Sequence, residues 1–290
     1  MKLVKKEILK EIFKKRPKDS KKYDFGYLII IGGSHLYSGS PALVALAALR
    51  TGVDLTLVVA PRRAADIIAS FSPDLIAYPL DCHDLSPKDI PTLLALIKGA
   101  EKVAGGKVAL VIGGGLGRDS NTQEMVRQLL SKVTLPVVID ADAIWAISQN
   151  KEEFAKRKFV LTPHQYEFFI LSGKNISRLS LREKAKEVKK LAQEFSWTIL
   201  LKGKVDIISD GKEIFFNKTG TPAMTVGGTG DILAGICGSL LAQGFNPLIS
   251  AFASAYINGK AGELATREFG VGMVASDLLK FIPKVIKSLK

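Results

Sequence analysis

At 290 residues, with 47% hydrophobic side chains and no Pro/Ser-rich linker, the chain is long enough to bury a full core as one domain, residues 1–290. Two cysteines far apart in sequence, Cys82 and Cys237, and only three histidines argue against a disulfide framework or zinc chemistry, so a reducing cytoplasm is expected. No apolar run reaches the roughly 18 residues that a membrane span needs. The net charge of +13 raises the question of nucleic acid, but the basic residues are not interleaved with aromatics and follow no helix-turn-helix, RRM or KH pattern, so no nucleic-acid partner is expected.

Much of the positive excess sits at the two ends. Over Lys2 to Lys22 and Lys280 to Lys290, lysines share helical faces with Leu3, Ile8, Ile12, Phe13, Ile282 and Ile286, which predicts solvated terminal helices, the first a basic helix within residues 1–22. The chain then alternates strand and helix. Tyr27 to Ile31 reads as a buried strand that stops at Gly32-Gly33-Ser34, ahead of a helix from Pro41 to Thr51. Strands follow at Leu55 to Val59, Leu75 to Tyr78 and Val108 to Ile112, separated by helices at Ala64 to Ala69 and Leu93 to Lys98. Val108 to Ile112 ends in Gly113-Gly114-Gly115-Leu116-Gly117, and Asp119 to Ser131 is helical. Val137 to Ile139 ends at Asp140-Ala141-Asp142, Phe159 to Leu161 at Thr162-Pro163-His164, and, after a charged helix from Ser180 to Phe195, Thr198 to Leu201 ends at Lys202-Gly203. Val205 to Ser209 and Glu213 to Phe216 read as a hairpin around Asp210-Gly211, and three helices follow Gly228.

This alternation predicts an α/β fold with a mostly parallel central sheet and helices on both faces. In open sheets of this kind ligands bind at the strand C-terminal edge, where Gly33 to Pro41, Gly113 to Gly117, Asp140, His164, Lys202 and Gly227 to Asp231 should converge. The Gly113 to Gly117 run lacks the G-x-G-x-x-G spacing and its acidic partner, which argues against a Rossmann dinucleotide site.

The most informative stretch is Gly227-Gly228-Thr229-Gly230-Asp231, placed directly before an apolar helical run. Free N–H groups in the first turn, glycines without Cβ atoms and the positive helix end suit a phosphate. Asp231 is either a dipole partner of that turn or a general base that takes a proton from a hydroxyl attacking a terminal phosphoryl group. His164 is read as a ligand residue or as an N-terminal turn residue satisfied by backbone; Lys202 as a phosphate contact or an ordinary exposed lysine. Asp140 and Asp142 read as helix caps rather than ligands of a metal or its waters, and no residue is assigned to a metal.

Lys202-Gly203, Asn217-Lys218-Thr219-Gly220, Gly227 to Gly235, Thr162-Pro163-His164 and Glu167, together with Gly33-Ser34 and Tyr37-Ser38-Gly39, resemble the ADP/ATP-dependent NAD(P)H-hydrate dehydratase family, whose fold is ribokinase-like. The resemblance runs from about Gly26 to the C-terminus, and the chain departs from the usual pattern in placing Gln165 and Tyr166 between the histidine and the glutamate. It implies that the hydroxyl of (S)-NADHX or NADPHX is phosphorylated at the expense of ADP or ATP with Mg²⁺, and that phosphate is then eliminated to restore the dihydronicotinamide. By the same resemblance Asp231 is the base and Gly228 and Gly230 form an anion hole. Gly39, Pro41, Gly115, His164 and Asp231 line the hydrated dinucleotide; Lys202, Gly203, Lys204, Val205, Asp206, Asn217, Thr219 and Gly230 hold the nucleotide. Many relatives are fused to an epimerase domain for which this chain leaves no room, so a separate epimerase is expected, as is a homo-oligomer. A ribokinase-like kinase of a vitamin precursor or sugar, and a non-catalytic nucleotide sensor, are the alternative readings.

Overall fold

The computed structural model describes residues 2–10 and 12–289, apart from the side chain of Ile8. Ten strands form one sheet in the order β1-β10-β9-β8-β7-β6-β5-β2-β3-β4. The strands are β1 (Lys2–Leu3), β2 (Tyr27–Ile31), β3 (Leu55–Pro61), β4 (Ile76–Leu80), β5 (Val108–Ile112), β6 (Val137–Ile139), β7 (Phe159–Leu161), β8 (Thr198–Leu201), β9 (Asp206–Ser209) and β10 (Ile214–Asn217). Pairing is parallel from β4 through to β8; β9 alone runs against its neighbours, and β1 lies parallel to β10 at the edge.

The strand order reverses between β2 and β5. From β2 the chain winds outward through β3 to β4, then returns to β5 on the other side of β2. A right-handed crossover that changes direction must change face, and the two cores show it. The helices α2 (Gly39–Thr51) and α3 (Arg62–Phe71) pack in one apolar layer with the C-terminal α9 (Thr229–Ala242), α10 (Pro247–Phe269) and α11 (Leu278–Leu289). On the other face lie α4 (Ile90–Ala104), α5 (Ser120–Lys132), α6 (Asp142–Ser148), α7 (Gln165–Ser172) and α8 (Leu181–Phe195). The C-terminal ends of β2 and β5 are therefore the switch point at which loops part to opposite faces and leave a crevice.

α9 is buried around its whole circumference from Ile232 to Ala242, as a helix that is apolar on all sides requires. Its glycines let it sink in. A Cβ at Gly235 would stand 2.3 Å from the carbonyl oxygen of Val44 on α2, and one at Gly238 would stand 2.4 Å from Val111 on β5. This approach sets the first turn of α9 at the carboxyl edge of the sheet.

The basic N-terminal helix within residues 1–22 is a correction. Lys2–Leu3 pairs with β10, the only helical stretch described there is α1 (Lys6–Leu9), and Leu9, Ile12 and Phe13 pack into the α9 face of the core. Pro17 and the like charges of Lys14, Lys15 and Arg16 disfavour a longer helix; Arg16 instead bonds to Asp54 at 2.8 Å and lies over the Phe25 ring.

Candidate active site

The crevice at the switch point is built first from backbone. Gly33 N–H donates to the carbonyl of Gly114 at 2.9 Å, joining the loop after β2 to the loop after β5. A Cβ at Gly114 would fall 2.3 Å from Ser40 Oγ and 3.1 Å from Asp231 Oδ1, and one at Gly115, where φ is +68°, would fall 2.8 Å from Tyr37. Only glycine fits there. Pro41 packs on Gly32 and Gly33, while Gly39 opens α2 with nothing within 4 Å of the place its Cβ would take. Gly39, Pro41, Gly115 and Asp231 are thus brought into one neighbourhood, as the sequence predicts.

Asp231 lies in the first turn of α9, half-buried, and accepts a short hydrogen bond from Ser40 Oγ. Burial pushes its carboxyl up to about 6; the Ser40 bond opposes the shift and the negative charge of Asp140 adds to it. Gly228 caps α9 with φ at +96° and no side chain caps the turn, so the N–H groups of the first turn remain available to an anion. Thr229 Oγ1 donates to the carbonyl of Met224 at 2.9 Å and steadies the loop beneath them.

Lys202 is not an ordinary exposed lysine. Its side chain is 22% exposed, and Nζ lies 2.9 Å from Asp140 Oδ1, 3.8 Å from Glu167 Oε2 and 3.4 Å from where a Cβ of Gly230 would be. Burial works against its charge, but Asp140 and Glu167, with a smaller share from Asp231, outweigh it and hold the ammonium above its usual range. The ammonium thus stands over the positive end of α9, a pairing that favours an anion between them.

Asp140 and Asp142 are not caps of α6, contrary to the sequence reading. The capping position is Ala141, with φ at +47° and no side-chain cap. Asp140 turns inward instead, where Oδ1 accepts from Thr162 Oγ1 at 2.7 Å and from Lys202; Oδ2 keeps no partner among the described residues. Asp142 accepts from Gly117 N–H at 3.0 Å and pairs with Arg118 at 2.8 Å, fastening the glycine loop to α6.

His164 does cap a helix. Its Nδ1 accepts from Tyr166 and Glu167 N–H at the start of α7, and Glu167 accepts in return from His164 N–H at 2.8 Å. The ring remains half exposed, with Nε2 3.4 Å from Glu167, and burial, then Lys202, push its pKa down, so it is a neutral imidazole at neutral pH. Tyr166 follows it over Trp145, on which Arg118 stacks at 4.3 Å.

The residues predicted to hold the nucleotide divide into two groups. Lys202, Gly203, Lys204 and Val205 line a cleft of about 250 Å³ closed on its far side by Leu181 and Lys184 of α8. Asp206, Asn217 and Thr219 lie beneath in a bonded set: Asn217, 1% exposed, donates to Asp206 at 2.9 Å and to the Ala255 carbonyl, and accepts from Thr219 Oγ1. Asp206 also accepts from Gly203 N–H, and burial pushes it up to about 6. A larger hollow, about 520 Å³, lies at the opposite edge of the sheet near Thr198 and Asn246 and holds none of the predicted residues.

A family model described as NAD(P)H-hydrate dehydratase matches residues 28–284, a span that holds every element just named. The chain belongs to the NAD(P)H-hydrate dehydratase family. An ADP-dependent (S)-NAD(P)H-hydrate dehydratase of Cenarchaeum symbiosum is 38% identical over 272 residues, 94% of this chain and 92% of that protein. A bifunctional NAD(P)H-hydrate repair enzyme of Pyrobaculum aerophilum is 44% identical over 274 residues, 94% of this chain and 52% of that one; the chain spans about half the length of the repair enzymes it matches. A ribokinase-like superfamily protein from Enterococcus faecalis superposes with a TM-score of 0.83 at 28% identity, covering 99% of this chain and 96% of that one. An ADP/ATP-dependent NAD(P)H-hydrate dehydratase from Bacillus subtilis, co-crystallised with ATP/Mg²⁺, shares the fold with a TM-score of 0.79 at 24% identity and coverage of 100% and 99%.

Within this dehydratase family fold, sequence reasoning missed Ser40 as the partner of Asp231, Asp140 and Glu167 as the partners of Lys202, and Thr162 as a second donor to Asp140. An acid directly after a buried strand, as Asp140 follows Ile139, was the available signal: no α6 cap needs it there, and burial at 4% demands a cation.

Proposed function

We propose that this chain dehydrates (S)-hydrates of NADH and NADPH, using ADP or ATP as phosphoryl donor. The observation that carries the proposal is the half-buried Asp231 carboxylate, raised to about 6 and fixed by Ser40 at the uncapped first turn of α9. A base of that kind is ionised at neutral pH yet retains driving force for taking a proton.

In this reading the ring hydroxyl of the hydrate lies between Asp231 and the Gly114–Gly115 backbone. Asp231 takes its proton as the oxygen attacks the terminal phosphoryl group, ADP leaving as AMP or ATP as ADP. Gly228 to Gly230 N–H groups and the Lys202 ammonium stabilise charge on the transferring oxygens. Phosphate then departs with the carbon–oxygen electron pair, the ring nitrogen lone pair assists, and loss of a proton from the adjoining ring carbon completes the dihydronicotinamide. His164, capping α7 and uncharged, offers a flat polar edge beside the ring, and the cleft along Lys202 to Val205 takes the nucleotide.

Asp140, Glu167 and Asp231 surround a single Lys202, an excess of negative charge where phosphates must enter. Hard oxygen donors with one open carboxylate oxygen on Asp140 fit Mg²⁺, which keeps waters and bridges phosphates. When bound it would neutralise the phosphoryl oxygens, held by Asp140 and Glu167. Because the substrate would be one epimer of the hydrate, an epimerase acting alongside would let both be consumed.

The deciding experiment follows absorbance at 340 nm when purified hydrate and either nucleotide are supplied. Return of the dihydronicotinamide band is expected. A stable phosphorylated product would mean a kinase, and nucleotide binding without turnover a sensor. Asp231→Asn should lower turnover by about 10²- to 10⁴-fold while nucleotide affinity stays within a few-fold; near-normal turnover would remove Asp231 as the base.

A further inference from the structure

Two of the three histidines meet away from the phosphoryl site. His35 follows β2 and His83 follows β4, 48 residues apart in sequence and separated in the sheet only by β3. Their rings stack with centroids 4.1 Å apart. The Asp84 carboxylate sits against both: His35 Nδ1 is 3.0 Å from each of its oxygens and His83 Nδ1 is 2.7 Å from Oδ2. His35 N–H also donates to Asp84 Oδ1 at 3.1 Å, which holds the carboxylate at the Nδ1 edge of the stacked rings. One nitrogen from each histidine and one carboxylate oxygen all lie within 4.8 Å of one another.

We propose that His35, His83 and Asp84 form a binding site for a borderline divalent transition ion, zinc(II) foremost, separate from any magnesium carried by the nucleotide. Two imidazole nitrogens and a carboxylate oxygen are the donor set zinc takes, at about 2.0–2.2 Å from the metal, with remaining positions left to water. Ligand atoms so bound stand a little over 3 Å apart, so contacts of 2.7–3.0 Å between nitrogen and oxygen need only a slight opening to admit the ion. The set is open on one side, since the His83 side chain is 75% exposed and free to adjust. Magnesium prefers oxygen donors alone and would not compete. Without an ion the same three groups share hydrogen bonds, both imidazoles of the stack meeting one carboxylate, and that is the rival account.

The spacing of the three histidines gave no hint of this, because the site is made by two loops that only the parallel β2–β3–β4 pairing brings side by side. An ion there would tie the loop after β4 to the loop that carries Tyr37 against Gly115 and leads into α2, whose first turn sets Ser40 onto Asp231.

The test uses the whole chain without a polyhistidine tag, stripped with a chelator and titrated with Zn²⁺ in competition with a chromophoric indicator. Co²⁺ absorption in the visible serves as a second readout. One ion per chain is expected. His83→Ala, at a side chain exposed enough that folding is unaffected, should weaken binding by at least about tenfold, the cost that loss of even an outer-shell partner carries. His164→Ala should leave the affinity unchanged. No uptake by the wild-type chain, or uptake equally tight in His83→Ala and Asp84→Asn, overturns the proposal in favour of a plain hydrogen-bonded cluster.

Discussion

Asp231, Asp206 and Glu167 all have carboxyl groups raised by burial, the first two to about 6. A raised carboxyl binds its proton more tightly in the folded chain than in the unfolded one, so between about pH 4 and 6 the native state holds more protons. Stability contributed by the protonated forms is present below the unfolded value and lost as pH rises through 6. Asp231→Asn should therefore gain on the wild type steadily as pH rises from about 4 through 6 and be more stable at pH 7 in urea unfolding, while turnover is lost; a drop in stability at both ends of that range would mean that the carboxylate is structural. In the wild type, kcat/KM should fall below about pH 6 with the slope of one proton. Lys202 behaves oppositely, because its charge is what holds Asp140 and Glu167 in place. Lys202→Met leaves two buried acids without a cation and should cost about 3 kcal/mol at pH 7, as broken buried pairs do. The loss should shrink as pH falls, because the Glu167 carboxyl, already raised by burial, takes up its proton more readily once the cation is gone, and a denaturation midpoint that does not move with pH would refute this.

At the scale of elements, α9 decides whether the site exists. Gly235→Ala should gain about 1 kcal/mol of helix propensity, yet the new methyl would meet the Val44 carbonyl at 2.3 Å, a backbone atom that cannot swing aside. Overpacking of this kind costs about 1–3 kcal/mol, so a net loss of stability is expected. Because the displaced helix carries Asp231, turnover should fall more than Tm does, which parallel thermal melts and rates would check. The apolar runs of β5, β6, β7 and β8 were legible residue for residue, since Gly, Pro, Asp or Lys marks at least one end of each. The glycine loop before α9 was equally plain. α6 was not: its seven residues are shorter than two helical turns, too few to show a period, and without it Asp140 and Asp142 looked like caps. Nor was the β9–β10 turn fully readable. Four residues rather than three join those strands, because the Asp210 carboxylate accepts from Lys212 and Glu213 N–H and widens the loop. The N-terminal lysines followed helical periodicity, but the pull of the β10 edge and of the core on Leu9, Ile12 and Phe13 was a tertiary fact outside the local pattern.

For the molecule as a whole, the sheet reversal places one crevice between two helical layers, in a chain whose net charge is +13. Both ligands of the proposed reaction are anions, a nucleotide and a hydrated dinucleotide, and the NADPH form carries a further phosphate. Three acids lie at the proposed phosphoryl site itself, so attraction at close range would come from Lys202, the α9 terminus and any magnesium brought with the nucleotide, whereas attraction at distance would come from the exposed lysines. These two contributions separate in salt. The Debye length is about 10 Å near 0.1 M, so added salt should screen the distant lysines and leave the half-buried Lys202 group largely untouched. Raising sodium chloride from about 0.05 to 0.3 M should thus lower kcat/KM by about three- to tenfold with kcat nearly constant, because steering acts on encounter and not on chemistry. The slope should be steeper for the hydrate of NADPH than for that of NADH, since the added phosphate feels the same field. Equal slopes for the two hydrates, or a fall carried by kcat, would show that the positive surface plays no part in gathering substrate and that recognition lies wholly within the crevice.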